Sequence, residues 1–169
     1  MTTVGIISDT HGCWDRRYAM HFGGCDEIWH AGDVGDIDII NRLKEVAPVV
    51  RAVYGNADHG AVRRLLPETE DFYVEGLHVW MTHIGGYPGR YAPGVARMLR
   101  LENVSMMVCG HSHILKVISD PLTHVLHINP GAAGLQGWHQ VRTLIRLKID
   151  NAVPRDLEVI EMSRSVIYD

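Results

Sequence analysis

Short apolar runs alternate with amphipathic stretches along the first two thirds of this chain. Val4-Gly5-Ile6-Ile7-Ser8 is apolar on successive positions and rich in β-branched residues, which predicts a strand buried on both faces. Trp14, Tyr18 and Phe22 follow at four-residue spacing and stop at Gly23-Gly24, the pattern of a helix over 14–22. A second strand is expected over 27–30. Asp36 is a candidate N-cap for a helix over 37–46, beyond which lies Pro48. The chain then returns as a strand over 49–54. A short helix before Pro67 comes next, and residues 72–74 and 77–81 read as a hairpin turned at Glu75-Gly76. A glycine-rich loop over 85–90 leads to a helix over 93–101 and a strand over 105–108.

The tail changes period. Val141, Thr143, Ile145, Leu147 and Ile149 alternate with Arg142, Leu144, Arg146 and Lys148, as in strands with one wetter face, and 157–160 is a last strand candidate. Antiparallel pairing is expected there. Strand and helix in alternation before it predict an α/β fold with its chemistry on the loops that follow the strands.

Composition narrows the class. With 169 residues, 46% of them hydrophobic and 21% charged, the chain has the proportions of one globular domain spanning 1–169. A formal charge of −4 argues against a broad basic surface for extended nucleic acid. No apolar run approaches the roughly 18 residues of a membrane span, and Met1-Thr2-Thr3-Val4 lacks a basic leader region. Cys13, Cys25 and Cys109 are odd in number and never in a CxxC spacing, which suits a reducing compartment. The expectation is a cytoplasmic protein without a membrane partner; a homo-oligomer stays open.

Five strand candidates end on a residue with ligand chemistry. These are Asp9 with His11, then Asp33, Asn56, His83, and finally His111 with His113 in Gly110-His111-Ser112-His113. Each is bland alone, because Gly-Asp is ordinary turn chemistry and a lone histidine is usually a hydrogen-bonded one. The ordered set is specific, since the ends of neighbouring strands converge in space. Three oxygen and four imidazole ligands exceed one tetrahedral site but suit two metals that share a carboxylate. Asp33 is the natural bridge, with Asp9, His11 and His113 on one metal and Asn56, His83 and His111 on the other. Ligation without thiolate favours manganese, iron, zinc, nickel or cobalt, among which manganese is placed first. Two dications against two carboxylates leave a net positive centre that attracts anions. Paired metals suit in-line phosphoryl displacement, so phosphoester hydrolysis is expected on a small phosphorylated substrate, foremost a phosphodiester.

The blocks Asp9-x-His11, Gly32-Asp33, Gly55-Asn56-x-Asp58, His83 and Gly110-His111-Ser112-His113 resemble the calcineurin-like metallophosphoesterases over roughly 4–150. The small size, with Asn129-Pro130-Gly131-Ala132-Ala133-Gly134, looks like their single-domain YfcE-type phosphodiesterase branch. The resemblance implies a four-layer α/β/β/α sandwich of two mixed sheets, with the tail strands used in the second sheet. It also implies a binuclear centre and attack by a metal-bound hydroxide.

Two departures bear on catalysis. Many relatives carry histidine after the asparagine as the general acid, whereas this chain has Ala57, which cannot transfer a proton. Activated aryl leaving groups are therefore favoured. His59 is the substitute donor in sequence reach, and Asp58 orients solvent or fixes the turn, so Asn56, Asp58 and His59 form the candidate catalytic set. After His83, where relatives have glycine, the chain has Ile84-Gly85-Gly86-Tyr87-Pro88-Gly89-Arg90. Arg90 and Asn56 are the candidate substrate-binding residues, Arg90 through a bidentate phosphate contact. The alternatives are a nuclease or cyclic-nucleotide phosphodiesterase, or a non-catalytic interaction scaffold, since a eukaryotic retromer subunit is similar in fold.

Overall fold

Two five-stranded sheets face each other across an apolar layer, and helices coat their outer faces. The computed structural model describes residues 1–169. The elements in order are β1 (Thr2–Ile7), α1 (Arg16–Phe22), β2 (Glu27–His30), α2 (Ile37–Val46), β3 (Val49–Ala52), α3 (Gly60–Leu65), β4 (Thr69–Val74) and β5 (Leu77–Thr82). There follow β6 (Gly86–Tyr87), β7 (Arg90–Tyr91), α4 (Val95–Leu101), β8 (Met106–Val108), β9 (Leu115–Ser119), β10 (Leu126–Pro130), β11 (Arg142–Asp150) and β12 (Val153–Met162).

The first sheet has the order β12-β11-β1-β2-β3 and the second β4-β5-β8-β10-β9. In the first, β1, β2 and β3 run parallel and β11 joins β1 antiparallel; in the second, β5, β8 and β10 run parallel. Alternation of side chains divides β1 between two cores. Val4 and Ile6 face inward with Trp29, Ile145 and Leu147, against Val79, Met81, Met106 and Ile128 of the other sheet. Ile7 faces outward, where Tyr18, Phe22, Ile40 and Leu43 of α1 and α2 cover the first sheet. On the far side, Val95 and Leu99 of α4 pack on Met107 and Cys109. Each fully buried aliphatic or aromatic side chain here is worth about 1.5–3 kcal/mol over exposure. The result is the α/β/β/α sandwich of two mixed sheets.

Local chemistry sets the boundaries. Asp36 caps α2 by accepting from the Asp38 amide at 2.9 Å, as its position before the apolar repeat predicts. The β4–β5 hairpin turns at Glu75 (φ 50°) and Gly76 (φ 83°), both left-handed, which matches the twist of the paired strands. Two expectations are corrected. The first helix begins at Arg16, because Asp15 accepts from the Arg17 amide as its N-cap; Trp14 stays outside and packs edge-on against Tyr18. The tail strands belong to the first sheet rather than the second, since β1 had an edge free opposite β2 and β11 pairs along it from Thr2↔Ile149 to Ile6↔Ile145.

Candidate metal centre

The loops after β1, β2, β3, β5 and β8 meet where the two sheets end on the same side. Backbone bonds lock them together: the Asp9 amide donates to the Gly32 carbonyl at 3.0 Å, His11 to Asp33 at 3.0 Å, and Gly110 to His83 at 3.0 Å. Gly110 permits a close approach, because a Cβ there would stand 2.1 Å from Ser8 Oγ and 2.7 Å from Asp9 Oδ2. A Cβ on Gly55 would stand 2.1 Å from Asp33 Oδ1. Asp9 (φ 54°), His11 (φ 44°), Asp33 (φ 50°), His111 (φ 71°) and His113 (φ 61°) all hold left-handed backbone. Non-glycine residues pay about 1–3 kcal/mol each for such strain, and it persists where surrounding structure enforces it, chiefly at functional sites.

These residues form two adjoining triads, Asp9-His11-His113 and Asp33-His83-His111, with the donor atoms of each triad within 4.8 Å of one another. Each carboxylate has one oxygen held by the protein and one turned to the centre. Asp9 Oδ2 accepts from Ser8 Oγ at 2.7 Å and the His111 amide at 3.2 Å, and its Oδ1 lies 3.1 Å from His113 Nε2 and 3.8 Å from His11 Nε2. Asp33 Oδ1 accepts from the Ala57 amide at 2.9 Å; its Oδ2 stands 3.1 Å from His83 Nε2 and 3.7 Å from His11 Nε2. His83 Nδ1 donates to the Ala31 carbonyl at 2.8 Å, which leaves its Nε2 lone pair facing the carboxylates.

Asp9 Oδ1, His11 Nε2 and His83 Nε2 are buried without a hydrogen-bond partner. Buried polar atoms are almost always paired, so three orphans converging on one point suit a ligand that accepts lone pairs. Divalent cations fit. The charges agree. Burial opposes ionisation of Asp9 and Asp33, but the neighbouring His113 and His83 outweigh it and hold both carboxyls below the usual range. Burial likewise opposes charge on His83, yet Asp33 and Asp9 raise it; His113 is raised by Asp9. The cluster favours positive charge at its centre.

The remaining candidates lie differently. Asn56 is exposed and shares a cavity of about 170 Å³ with His83. Arg90 is exposed on the wall of a cleft of about 320 Å³ that His111 and Ser112 also line. Asp58 stands apart from the donors: it accepts from the amides of Val34 (3.0 Å), Gly35 (2.8 Å) and Gly55 (2.8 Å). It clamps the Asp33 loop to the Asn56 loop. His59 is exposed, with Nδ1 3.2 Å from the Ala57 carbonyl, and joins neither triad.

Several further side chains support the site. Asn129 donates to the Gly110 carbonyl at 2.9 Å and to Ser112 Oγ at 3.1 Å, holding the Gly-His-Ser-His loop. His30 accepts from the Gly32 amide on Nδ1, so its Nε2–H donates to Thr10 Oγ1, which donates to the Val34 carbonyl. Burial pushes the His30 pKa down to about 4. Trp138, 98% exposed, lines a cleft of about 490 Å³ with His111 and His113.

Residues 2–152 match the profile of the calcineurin-like phosphoesterase superfamily domain. A probable metallophosphoesterase of Methanocaldococcus jannaschii is 29% identical over 165 residues, covering 94% of this chain and 81% of the relative. Among solved structures, zinc-complexed Vps29 from Entamoeba histolytica superposes with a TM-score of 0.73 at 16% identity, covering 96% of this chain and 99% of that one. A structure described as a novel archaeal phosphodiesterase gives 0.67 at 19% identity, covering 95% and 99%. At these identities the two structures speak for the fold alone.

Proposed function

Because the chain belongs to the calcineurin-like phosphoesterase superfamily, we propose that it is a metal-dependent phosphoesterase that hydrolyses phosphodiester bonds at a binuclear centre. The observation that carries this reading is the convergence of buried, unpartnered Asp9 Oδ1, His11 Nε2 and His83 Nε2 within two adjoining triads. Asp9, His11 and His113 would hold one divalent cation; His83, His111 and Asn56 would hold the second, and Asp33 would bridge. A bridge through Asp33 is supported by its Oδ2, which faces a histidine of each triad. Donors without thiolate suit manganese foremost, then iron, zinc, nickel or cobalt. Two such ions, when bound, supply Lewis acidity to a phosphoryl group and lower the pKa of water.

The chain's own residues do the rest. Ser8, Ala57 and the His111 amide fix the carboxylates, and the Ala31 carbonyl fixes the His83 tautomer, so the donors need little rearrangement. Asn56 and His111 are exposed at the rim, where an incoming phosphate would arrive. Arg90, on the same cleft as His111, would contact a phosphate oxygen. With alanine at 57 and His59 turned to a backbone carbonyl, no side chain there hands a proton to the leaving group, which favours leaving groups that depart as stable anions. Three free cysteines suit a reducing compartment such as the cytoplasm; no helix is long and apolar enough to cross a membrane.

The test is hydrolysis of bis-p-nitrophenyl phosphate by manganese-loaded protein. Turnover that chelation abolishes and manganese restores is expected. Loaded protein inert on every phosphodiester and monoester would leave the interaction-scaffold alternative, which makes no use of the donor set.

A further inference from the structure

Beside the cleft that holds His111 lies a second groove of about 470 Å³ lined by three arginines, Arg90, Arg97 and Arg100. Arg97 and Arg100 project into it from α4, three residues apart on one exposed face, and Arg90 enters from β7. None of the three forms an ion pair, and they share one groove. One carboxylate lies in the groove, but it is occupied. Asp120 is 2% exposed and accepts from Tyr91 Oη at 2.7 Å, Thr123 Oγ1 at 2.7 Å and the Leu122 amide at 2.8 Å. Three guanidiniums thus face one satisfied carboxylate, in a chain whose formal charge is −4.

An exposed arginine is ordinarily only a solvated charge. Three that share a groove without counter-ions repel one another, and an anion relieves that repulsion while accepting paired N–H bonds. The groove is within the usual size range for a small-molecule site. It is also continuous with the candidate metal centre: Arg90, Ala92 and Pro93 line both this groove and the cleft of His111. A ligand with one phosphate at the triads could therefore lay a second anionic group between Arg97 and Arg100.

We propose that the Arg90-Arg97-Arg100 groove is a second anion subsite, and that the substrate carries a further phosphate group beyond the ester that is cleaved. The orientation rests on the phosphoesterase reading; the subsite rests on the arginines. The substrate class is a short phosphorylated phosphodiester, such as a nucleotide ester with a terminal phosphate. A simple diaryl ester lacks the second anchor.

Binding, measured separately from turnover, tests this. Thymidine 5′-monophosphate and thymidine 3′,5′-bisphosphate are titrated calorimetrically into the manganese-loaded full chain, into R97A/R100A, and into R16A/R155A as a control for lost charge elsewhere. The wild type and the control should bind the bisphosphate at least tenfold more tightly than the monophosphate. R97A/R100A should bring the two within about threefold by weakening the bisphosphate alone, since hydrogen bonds to charged groups are the ones worth more than a tenfold change. Equal affinity for both ligands in the wild type overturns the proposal, as does an undiminished preference in R97A/R100A or the same loss in R16A/R155A. Absence of bis-p-nitrophenyl phosphate turnover would instead count against the phosphoesterase reading, and leaves this ratio to be judged by itself.

Discussion

The Nε2 atom of His83 stands 3.1 Å from Oδ2 of Asp33, yet the two are out of line for a hydrogen bond, and the ring's other nitrogen is committed to the Ala31 carbonyl. The pair therefore presents two lone pairs to one point. Replacing the Ala31–His83 partnership is not simple, because it is a backbone contact, but the position can be challenged at His83 itself. His83→Ala should lower divalent-metal affinity at least tenfold and reduce turnover of bis-p-nitrophenyl phosphate in proportion. Titration calorimetry with manganese is the check, and wild-type affinity would exclude His83 as a ligand.

Protons compete for the same atoms. Asp9 raises His113, and Asp33 with Asp9 raises His83 against the opposing effect of burial. Before a metal binds, these rings are protonated up to a pH above the usual 6.5, and a metal must displace those protons. Manganese affinity should therefore begin to fall above pH 6.5 as the solution is acidified, and continue to fall below it. Calorimetry from pH 8 to pH 5.5 reads this directly; a flat profile would contradict it.

Asp58 acts at a distance from the donors. Its carboxylate holds three backbone amides of two ligand-bearing loops, so Asp58→Ala leaves those amides unpaired and frees the loops. A stability loss of about 3 kcal/mol is expected in urea unfolding, together with metal affinity about 10–100-fold weaker. Full stability in the variant would show that solvent replaces the carboxylate.

His30 gives the fold an acid sensitivity. Its folded pKa, about 4, lies below the usual 6.5, so its contribution is complete above pH 6.5, where both states are neutral. Below that the unfolded chain takes the proton first, and stability is lost as pH falls towards 4. The loss is on the order of 3 kcal/mol. His30→Gln, which keeps a donor and an acceptor, should lose less stability than metal-free wild type as pH falls from 6.5 to 4, so the difference between the two in denaturant titrations changes across that window. Parallel profiles would remove His30 as the cause.

Ala57 offers a gain of function. Its amide holds Asp33 Oδ1, while its side chain faces solvent beside Asn56. Ala57→His should raise turnover of diesters with poor alkyl leaving groups relative to p-nitrophenyl esters, in a direction set by general-acid catalysis, typically about 10²–10⁴-fold. An unchanged ratio would mean that leaving-group protonation does not limit the reaction.

Much of this architecture is legible in the sequence, for local reasons. The α2 and β2 limits agree with expectation because a capping aspartate and a clean periodicity mark them. The tail strands were recognisable from their alternation, but not their sheet, because pairing with β1 is a long-range choice that no local pattern encodes. The β9 and β10 strands carry no clean local pattern: the first is an edge strand with exposed Val117 and Ile118, and the second ends in Asn129-Pro130. Among site residues, ordered position after successive strands picked out the histidines and aspartates that form the triads. Asp58 is of the right type in the right stretch, yet its direction, into backbone amides, depends on how two loops cross.

Metal content tests the central claim most directly. Protein equilibrated with manganese and freed of excess should hold close to two ions per chain by elemental analysis, and Asp33→Ala, which removes an oxygen facing both triads, should hold almost none. A wild type that retains one ion or none, or an Asp33→Ala protein that still holds two, would contradict a binuclear centre bridged by Asp33.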